Sequence, residues 1–228
     1  YPVAINWHYT PAEAEYLFND SGIKALVIHA DLLSKVRQAI PDHVLILSVP
    51  VPKSIQLAYG VSDAQCAVQP GDTDWNLWRQ SFEPTPRDPE QLPSTIIYTS
   101  GTTGKPKGVR RPMATPEQMA ISRRMLGISY GFDGYEGQGE AITTAVVGPI
   151  YHSAPNAHAS FCFREGANIV ITPRFDPENL LALIERHQIT HLNMVPIMFN
   201  RLLKLPQSVR DAYDCLLYTS PSPRDNTT

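Results

Sequence analysis

Apolar runs and amphipathic segments alternate along the first third of the chain. The runs Ala25–Ile28 and Val44–Val49 predict two short strands, the first of them buried. Thr10 and Glu13 have the spacing of a capping box, which predicts a helix before the first strand, and Asp31 is predicted to cap a helix between the strands. This order is typical of an α/β fold in which helices cover a parallel sheet.

The second half of the chain repeats this alternation. Strands are predicted at residues 141–147, 168–171 and 192–195, and helices are predicted to begin at Ser153, Asp176 and Pro196. A strand, a helix and a second strand within about thirty residues are typical of a right-handed crossover unit. The pattern therefore predicts an α/β fold for both halves.

A segment rich in glycine, hydroxyl and lysine residues follows the predicted strand Ser94–Tyr98. From Tyr98 to Gly108 it reads Tyr-Thr-Ser-Gly-Thr-Thr-Gly-Lys-Pro-Lys-Gly. Glycines let backbone N–H groups converge on an anion, hydroxyl groups donate hydrogen bonds to phosphate oxygens, and lysines supply positive charge. We therefore interpret this segment as a phosphate-binding loop.

The P-loop of nucleoside triphosphatases is the main competing motif, and the sequence disfavours it. A P-loop needs a glycine five positions before its Gly-Lys pair and a helix directly after the pair. Here Thr99 stands five positions before Gly104, and Pro106 follows Lys105 where the helix would begin. A phosphate would therefore be held by a flexible loop between strands. A solvated hairpin loop without a ligand is the alternative.

The composition of the 228-residue chain is that of an ordinary globular protein, with 43% hydrophobic and 18% charged residues. A formal net charge of −3 gives no electrostatic case for binding nucleic acid or for a polybasic membrane anchor. The apolar runs are too short to span a bilayer, and no secretory signal is visible. Cys66, Cys162 and Cys215 are far apart and are expected to be free thiols, so we expect a cytoplasmic location.

The loop Thr99–Gly108 resembles the phosphate-binding motif of the adenylate-forming (AMP-binding) superfamily, and three other segments support the resemblance. Residues 2–13 resemble the family's N-terminal segment. Gly148–Pro155 resembles its second core motif, and His191–Pro196 resembles the strand-to-helix segment beyond it; both favour the acyl-CoA synthetase type. The resemblance covers residues 1–214. It implies a partial N-terminal domain of the adenylate-forming fold, with mixed and parallel sheets and covering helices.

The resemblance further implies an acid–thiol ligase. In that reaction a carboxylate attacks the α-phosphate of Mg-ATP to give an acyl-adenylate and pyrophosphate, and a thiol, usually that of coenzyme A, then displaces AMP. The implied cofactors are ATP, Mg²⁺ and coenzyme A, and the implied substrate is a fatty or otherwise apolar carboxylic acid. An adenylation domain that loads a carrier protein and a non-catalytic nucleotide-binding module are the alternatives.

The resemblance also assigns roles to individual residues. It places His152 near the acyl pocket and the route of the thiol. The residues that it places around the β- and γ-phosphates of ATP are Thr99, Ser100, Gly101, Thr102, Thr103, Gly104 and Lys105. His187 and His191 straddle a predicted helix end and strand start, so a zinc site formed by this pair is not expected.

The chain departs from the family pattern in what it lacks. The family's adenine-binding aromatic motif with its magnesium-ligating glutamate, its ribose-binding aspartate and its C-terminal domain with a catalytic lysine have no counterpart here. We therefore expect residues 1–214 to be a domain that is truncated at both ends and does not turn over alone. Residues 215–228 lose the family pattern abruptly and are expected to be a foreign tail.

Overall fold

The computed structural model describes residues 1–84, 95–99, 105–110, 112, 114–132 and 141–214. The chain divides into two compact units, residues 1–113 and residues 114–228. Each unit has short strands with helices between them, in parallel or mixed sheets. The predicted α/β class is therefore confirmed. The predicted foreign tail lies outside the described residues.

The first unit has two three-stranded sheets. Its strands are β1 (Val3–Ala4), β2 (Ala25–His29), β3 (Leu45–Val49), β4 (Thr73–Asp74), β5 (Ile96–Thr99) and β6 (Lys107–Gly108). Its helices are α1 (Pro11–Ser21), α2 (Ala30–Val36), α3 (Lys53–Tyr59), α4 (Asp63–Cys66) and α5 (Trp75–Gln80), with a short 3-10 helix (Arg37–Ala39) after α2. Strands β2 and β4 run parallel to the central β3, whereas β5 pairs in parallel with β1 and antiparallel with β6.

Helix α1 begins and ends where the sequence predicts. The Thr10 hydroxyl accepts a hydrogen bond from the Glu13 N–H, and the Glu13 carboxylate accepts one from the Thr10 N–H, which completes the capping box. Gly22 ends the helix in the left-handed region, at a φ of 58°, which glycine adopts without steric cost. Leu17 and Phe18 are buried in the core of this unit, and each burial stabilises the fold by about 1.5–3 kcal/mol.

Two predictions for this unit are wrong. Asp31 does not cap α2, because the N-cap is His29, two residues earlier, and makes no side-chain capping bond. The first strand is not buried on both faces, since Val27 is 52% exposed. Val27 pairs in register with Leu47, which is 2% exposed. The difference arises because β2 is an edge strand of its sheet, whereas β3 is covered on both sides by neighbouring strands.

The second unit has one parallel sheet with the strand order β8-β7-β9. Its strands are β7 (Thr143–Val146), β8 (Asn168–Ile171) and β9 (His191–Leu192). Its helices are α6 (Pro116–Tyr130), α7 (Ser153–Arg164), α8 (Pro177–His187), α9 (Pro196–Leu203) and α10 (Gln207–Arg210). The predicted strands and helices of this half are confirmed, except that β9 has two residues and begins one residue earlier than expected.

Helix α8 shows how this unit builds its core. The Asp176 carboxylate caps the helix by accepting a hydrogen bond of 2.8 Å from the Asn179 N–H. Four residues apart on the helix, Leu180 and Ile184 are buried against Ala145 of the central strand. The apolar face of α8 therefore covers the parallel sheet, as the sequence pattern predicts.

Helix α6 is absent from the sequence prediction, although its start has a clear signature. Thr115 and Gln118 form a capping box, Pro116 occupies the first turn, and Gly131 ends the helix with a φ of 76°. None of its residues is fully buried, so it lacks the apolar periodicity on which the prediction relied. None of the helices in the described part of the chain has the length and apolar character that a bilayer crossing requires.

Candidate phosphate-binding hairpin and the His152 turn

The glycine- and hydroxyl-rich loop joins the two strands of a β-hairpin. Strand β5 pairs antiparallel with β6, with Tyr98 opposite Gly108 and Thr99 opposite Lys107. This arrangement matches the predicted loop between strands. Of the predicted phosphate contacts, Thr99 ends the first strand and Lys105 stands two residues before the second. The predicted contacts at residues 100–104 lie outside the described residues.

Gly108 has no room for a side chain. A Cβ atom built on it would lie 2.7 Å from Cε2 and 2.8 Å from Cζ of Tyr98, closer than real Cβ atoms approach. It would also lie 3.0 Å from the Cγ2 methyl of Ile96. The aromatic ring therefore lies across the glycine of the opposite strand, an arrangement by which aromatic residues stabilise a glycine in a sheet. Gly108, the last glycine of the motif, therefore has a structural role in the hairpin, because a larger residue would displace the Tyr98 ring.

Helix α1 contacts β5 and the segment just before β6 through polar atoms. The Tyr98 hydroxyl donates a hydrogen bond of 2.6 Å to the Asp20 carboxylate, and the Tyr16 hydroxyl donates one of 3.1 Å to the Pro106 carbonyl. The Lys105 ammonium lies 5.2 Å from the centroid of the Tyr16 ring, within the range of a cation–π contact. Burial and the hydrogen bond to Asp20 raise the pKa of Tyr98, so its hydroxyl stays a donor at physiological pH.

Among the described residues, three basic side chains stand on or beside the hairpin. Lys105, Lys107 and Arg110 are all exposed, and the Arg110 guanidinium lies 4.3 Å from the centroid of the Tyr1 ring. Exposed lysine and arginine side chains are suited to polyphosphate, because their N–H groups remain accessible to its oxygens. The described part of the hairpin therefore offers cations and a hydroxyl group to an anion.

The second candidate position, His152, stands in a turn between β7 and α7. Its N–H donates a hydrogen bond of 3.1 Å to the Pro149 carbonyl, and the Asn156 side-chain amide donates one of 2.8 Å to the Ile150 carbonyl. His152 occupies the N-cap of α7, but its side chain makes no capping hydrogen bond and is exposed. The centroid of the His152 imidazole ring lies 4.6 Å from the centroid of the Tyr151 ring. The turn thus presents an imidazole that the helix cap does not use.

A buried polar pair fixes α7 to β7. His158 Nε2 lies 3.0 Å from Thr144 Oγ1, and Cys162 Sγ lies 3.6 Å from the same nitrogen. Burial, with a smaller effect of His191, lowers the pKa of His158 to about 4, and burial raises the pKa of Cys162 to about 11. Both groups are therefore neutral near pH 7. The contact between His158 and Thr144 therefore attaches α7 to β7, and Cys162 is not an activated thiol.

His191 has structural contacts, and two cysteines are buried. His191 contacts the Gly131 carbonyl at 2.9 Å through Nε2 and the Thr190 hydroxyl at 2.8 Å through Nδ1. Cys66 and Cys162 are buried free thiols, as predicted, and Cys215 lies outside the described residues. Within the described ranges, no three His, Cys, Asp or Glu side chains are grouped so that they could hold a metal ion.

The structure places Thr99 at the end of β5 and Lys105 two residues before β6 in one hairpin, whereas His152 belongs to the second unit. Sequence reasoning missed Tyr16 and Asp20, two residues of α1 that contact the hairpin. Their spacing of four places them on one face of a helix, and that is the only signal that the sequence contains for them.

Comparisons with known proteins place this geometry in a family. A family model described as AMP-binding enzyme matches residues 1–218. The long-chain-fatty-acid–CoA ligase of Bacillus subtilis (strain 168) is 28% identical over 225 residues, which cover 90% of this chain and 38% of that protein. The indoleacetate–CoA ligase of Aromatoleum aromaticum is 26% identical over 210 residues, which cover 89% of this chain and 36% of that protein.

One solved structure adds the same fold. A long-chain-fatty-acid-CoA ligase from Archaeoglobus fulgidus is similar with a TM-score of 0.61 and 26% identity, over 89% of this chain and 36% of that one. The chain therefore spans well under half the length of these relatives, while the match includes both the hairpin and the His152 turn. A family match over almost its whole length shows that this chain belongs to the AMP-binding, adenylate-forming enzymes.

Proposed function

We propose that the protein activates a carboxylic acid with ATP and transfers the resulting acyl group to coenzyme A. The observation that carries the proposal is the hairpin, in which strands β5 and β6 bring Thr99 and Lys105 to one loop within a matched AMP-binding region. Hydroxyl groups, glycine N–H groups and an exposed ammonium suit a polyphosphate better than any apolar ligand. The loop itself is proposed to hold the β- and γ-phosphates.

The proposed reaction has two steps. In the first, a carboxylate oxygen attacks the α-phosphorus of ATP, a new P–O bond forms, and the bond to the bridging oxygen of pyrophosphate breaks. Donors fixed around the leaving pyrophosphate favour this step because its negative charge grows as the bond breaks. In the second step, the thiol sulfur of coenzyme A attacks the acyl carbon and AMP leaves.

Magnesium fits this proposal as the ion that accompanies ATP. Mg²⁺ in nucleotide sites is commonly bound by substrate phosphates and one or two carboxylates. The ion would supply positive charge that offsets the negative charge of the phosphates. Lys105 and the loop hydroxyls would bind phosphate oxygens.

His152 is proposed to lie beside the acyl group and the route of the thiol. Its exposed ring, at the start of α7 and outside the helix cap, supports a role in contacting substrate. The proposed acid is fatty or otherwise apolar, in keeping with the acids named for the similar B. subtilis and A. fulgidus ligases. A cytoplasmic location belongs to the same proposal.

A triple substitution in the loop tests the proposal. In the full-length protein, T102A/T103A/K105A should lower acid-dependent ATP–pyrophosphate exchange by at least about 100-fold, because removing fixed donors to a developing negative charge costs that much. Exchange and CoA-thioester formation are measured with saturated acids of graded chain length. Lys35→Ala, which removes an exposed lysine from α2, serves as the control and should keep normal rates.

The alternatives predict different outcomes. Normal ATP consumption by the triple variant would overturn the proposal. Exchange without formation of a CoA thioester, together with loading of a phosphopantetheine carrier protein, would favour the carrier-loading alternative. No exchange with any acid in the unmodified full-length protein would favour a non-catalytic nucleotide-binding module. Residues 1–214 alone are expected to show only background exchange.

A further inference from the structure

We propose that Tyr16 and Asp20 of helix α1 are positioning residues for the phosphate-binding hairpin, with Tyr16 directing the Lys105 ammonium toward the phosphates of ATP. This inference rests on the proposed function and adds two residues that lie 78 and 90 positions before their partners in the sequence. The two residues are four apart on α1, which is itself fixed by a capping box and by its buried apolar face.

The two contacts divide the hairpin between them. The Asp20 carboxylate accepts a hydrogen bond of 2.6 Å from the hydroxyl group of Tyr98, on the strand that enters the loop. The Tyr16 hydroxyl group donates a hydrogen bond of 3.1 Å to the Pro106 carbonyl, on the segment that leaves the loop. Pro106 has no backbone N–H and therefore cannot donate a backbone hydrogen bond. Its carbonyl can accept one, and the bond from Tyr16 restrains this residue through a side chain outside the hairpin.

Tyr16 also contacts the lysine directly. Its ring centroid lies 5.2 Å from Lys105 Nζ, so one side chain restrains both the backbone next to the lysine and the lysine head group. A free lysine side chain samples many rotamers, and ordering it on binding costs free energy. A ring that already holds the ammonium beside the loop lowers this cost, which is the general advantage of preorganisation.

Packing alone does not account for these side chains. Tyr16 is only partly buried, and Asp20 is exposed, so neither belongs to the apolar core that Leu17 and Phe18 form on the same helix. Phenylalanine at position 16 would cover the same surface without the hydroxyl group. The contacts that support a positioning role are therefore those of the Tyr16 hydroxyl group and the Asp20 carboxylate, and not apolar packing.

The test uses two substitutions at Tyr16 in the full-length protein, with steady-state kinetics for ATP and for the acid. Tyr16→Phe keeps the ring over Lys105 and removes the bond to Pro106, and should raise the KM for ATP about threefold. Tyr16→Leu removes both contacts and should raise it about tenfold. The KM for the acid and kcat should change less than about twofold in either variant, because neither contact reaches the acid.

Controls separate positioning from a general loss of fold. A smaller folded fraction lowers kcat and leaves both KM values unchanged, which is the opposite of the expected split. Tyr213→Phe removes a tyrosine hydroxyl that donates to Glu178 in the second unit, and should leave the KM for ATP unchanged. Asp20→Ala should raise the KM for ATP about threefold through the loss of the Tyr98 contact.

A double-mutant cycle tests whether Tyr16 acts through Lys105. If it does, Tyr16→Leu should raise the KM for ATP of the Lys105→Ala variant by about threefold and not by tenfold, because only the bond to Pro106 remains to be removed. Fully multiplicative effects, or an unchanged KM for ATP in Tyr16→Leu, would overturn the inference. Failure of Lys105→Ala itself to raise that KM would instead count against the proposed function.

Discussion

The two turns that carry the candidate chemistry are held in different ways. The hairpin is fixed by side chains of α1, through the Tyr98–Asp20 and Tyr16–Pro106 hydrogen bonds, whose partners are 78 and 90 positions apart in sequence. The His152 turn is fixed by a local bond from the Asn156 side chain, six positions from its partner, and by backbone bonds at the start of α7. One turn depends on tertiary contacts and the other largely on its own sequence.

This difference indicates how each turn responds to change. A loop that binds a polyphosphate gains affinity when its strands are fixed before the ligand arrives. A turn closed by local bonds keeps its shape as long as its own helix stays attached to the sheet. The hairpin should therefore be sensitive to changes in β6 and α1, and the His152 turn to changes in the attachment of α7 and in Asn156.

The largest expected effect concerns the attachment of α7. Burial lowers the pKa of His158 to about 4 from an ordinary value of 6.5, so between these values the unfolded chain binds the proton more readily than the folded one. Because burial disfavours the charged imidazole, the stability that depends on a neutral His158 is complete above pH 6.5 and is lost as the pH falls toward 4. The loss should be on the order of 2 kcal/mol once screening by nearby solvent is allowed for.

Denaturant unfolding of the protein between pH 7.5 and 4 measures this effect, and glutamine at position 158 isolates it. Glutamine can bond to Thr144 but does not titrate in this range, so His158→Gln should flatten the fall in stability. His187→Gln changes an exposed histidine on α8 and should keep the original profile. An unchanged slope in His158→Gln would show that another group is responsible.

The next largest effect concerns the hairpin. Gly108→Ala would bring a methyl group within 2.7 Å of the Tyr98 ring, so the ring or the strand must move and the bond to Asp20 must weaken. We expect a loss of between about 1 and 2 kcal/mol in stability and a rise of several-fold in the KM for ATP. Thermal unfolding and ATP–pyrophosphate exchange measure the two effects.

Gly127→Ala provides the matched control for that change. Gly127 lies within α6, and a Cβ there would be 3.9 Å from Cζ of Phe161, an ordinary contact. Alanine is the better helix former by about 1 kcal/mol, so this variant should be as stable as the unmodified protein or more so. If Gly108→Ala behaved like Gly127→Ala, the close packing of Tyr98 on Gly108 would not matter to the hairpin.

The smallest expected effect concerns the local bond in the His152 turn. Asn156→Ala removes the hydrogen bond to the Ile150 carbonyl and should lower the free energy of unfolding by about 1 kcal/mol. If His152 lies on the route of the thiol, CoA-thioester formation should slow while pyrophosphate exchange stays normal. Asn200→Ala, on an exposed position of α9, is the control. Equal slowing of both reactions would contradict the separate role of this turn.

Elements with both an end signal and an apolar face could be predicted from the sequence. Helices α1 and α8 have a capping residue at the start and buried apolar positions three or four apart, and both were predicted correctly. Helix α6 has equally clear end signals at Thr115 and Gly131 but no fully buried face, so apolar periodicity missed it. Caps and periodicity are independent signals, because a cap satisfies backbone groups and periodicity reports burial.

The failures in the first unit have a tertiary cause. Asp31 has the side chain of a capping residue, yet the helix begins one residue earlier, directly after β2. Val27 has the apolar character of a core residue, yet its strand lies at the edge of the sheet. A short window of sequence specifies neither the residue at which β2 ends nor the order of the strands in the sheet.

By itself, the sequence determined the α/β order of elements, the glycine, hydroxyl and lysine composition of the loop and the family of the chain, because caps, apolar periodicity and motif residues are local features. Only the tertiary structure decided that Gly108 lies beneath the Tyr98 ring and that α1 contacts the hairpin at Tyr98 and at Pro106. Such contacts depend on how distant segments pack around a shared core, and no short stretch of the chain specifies that packing.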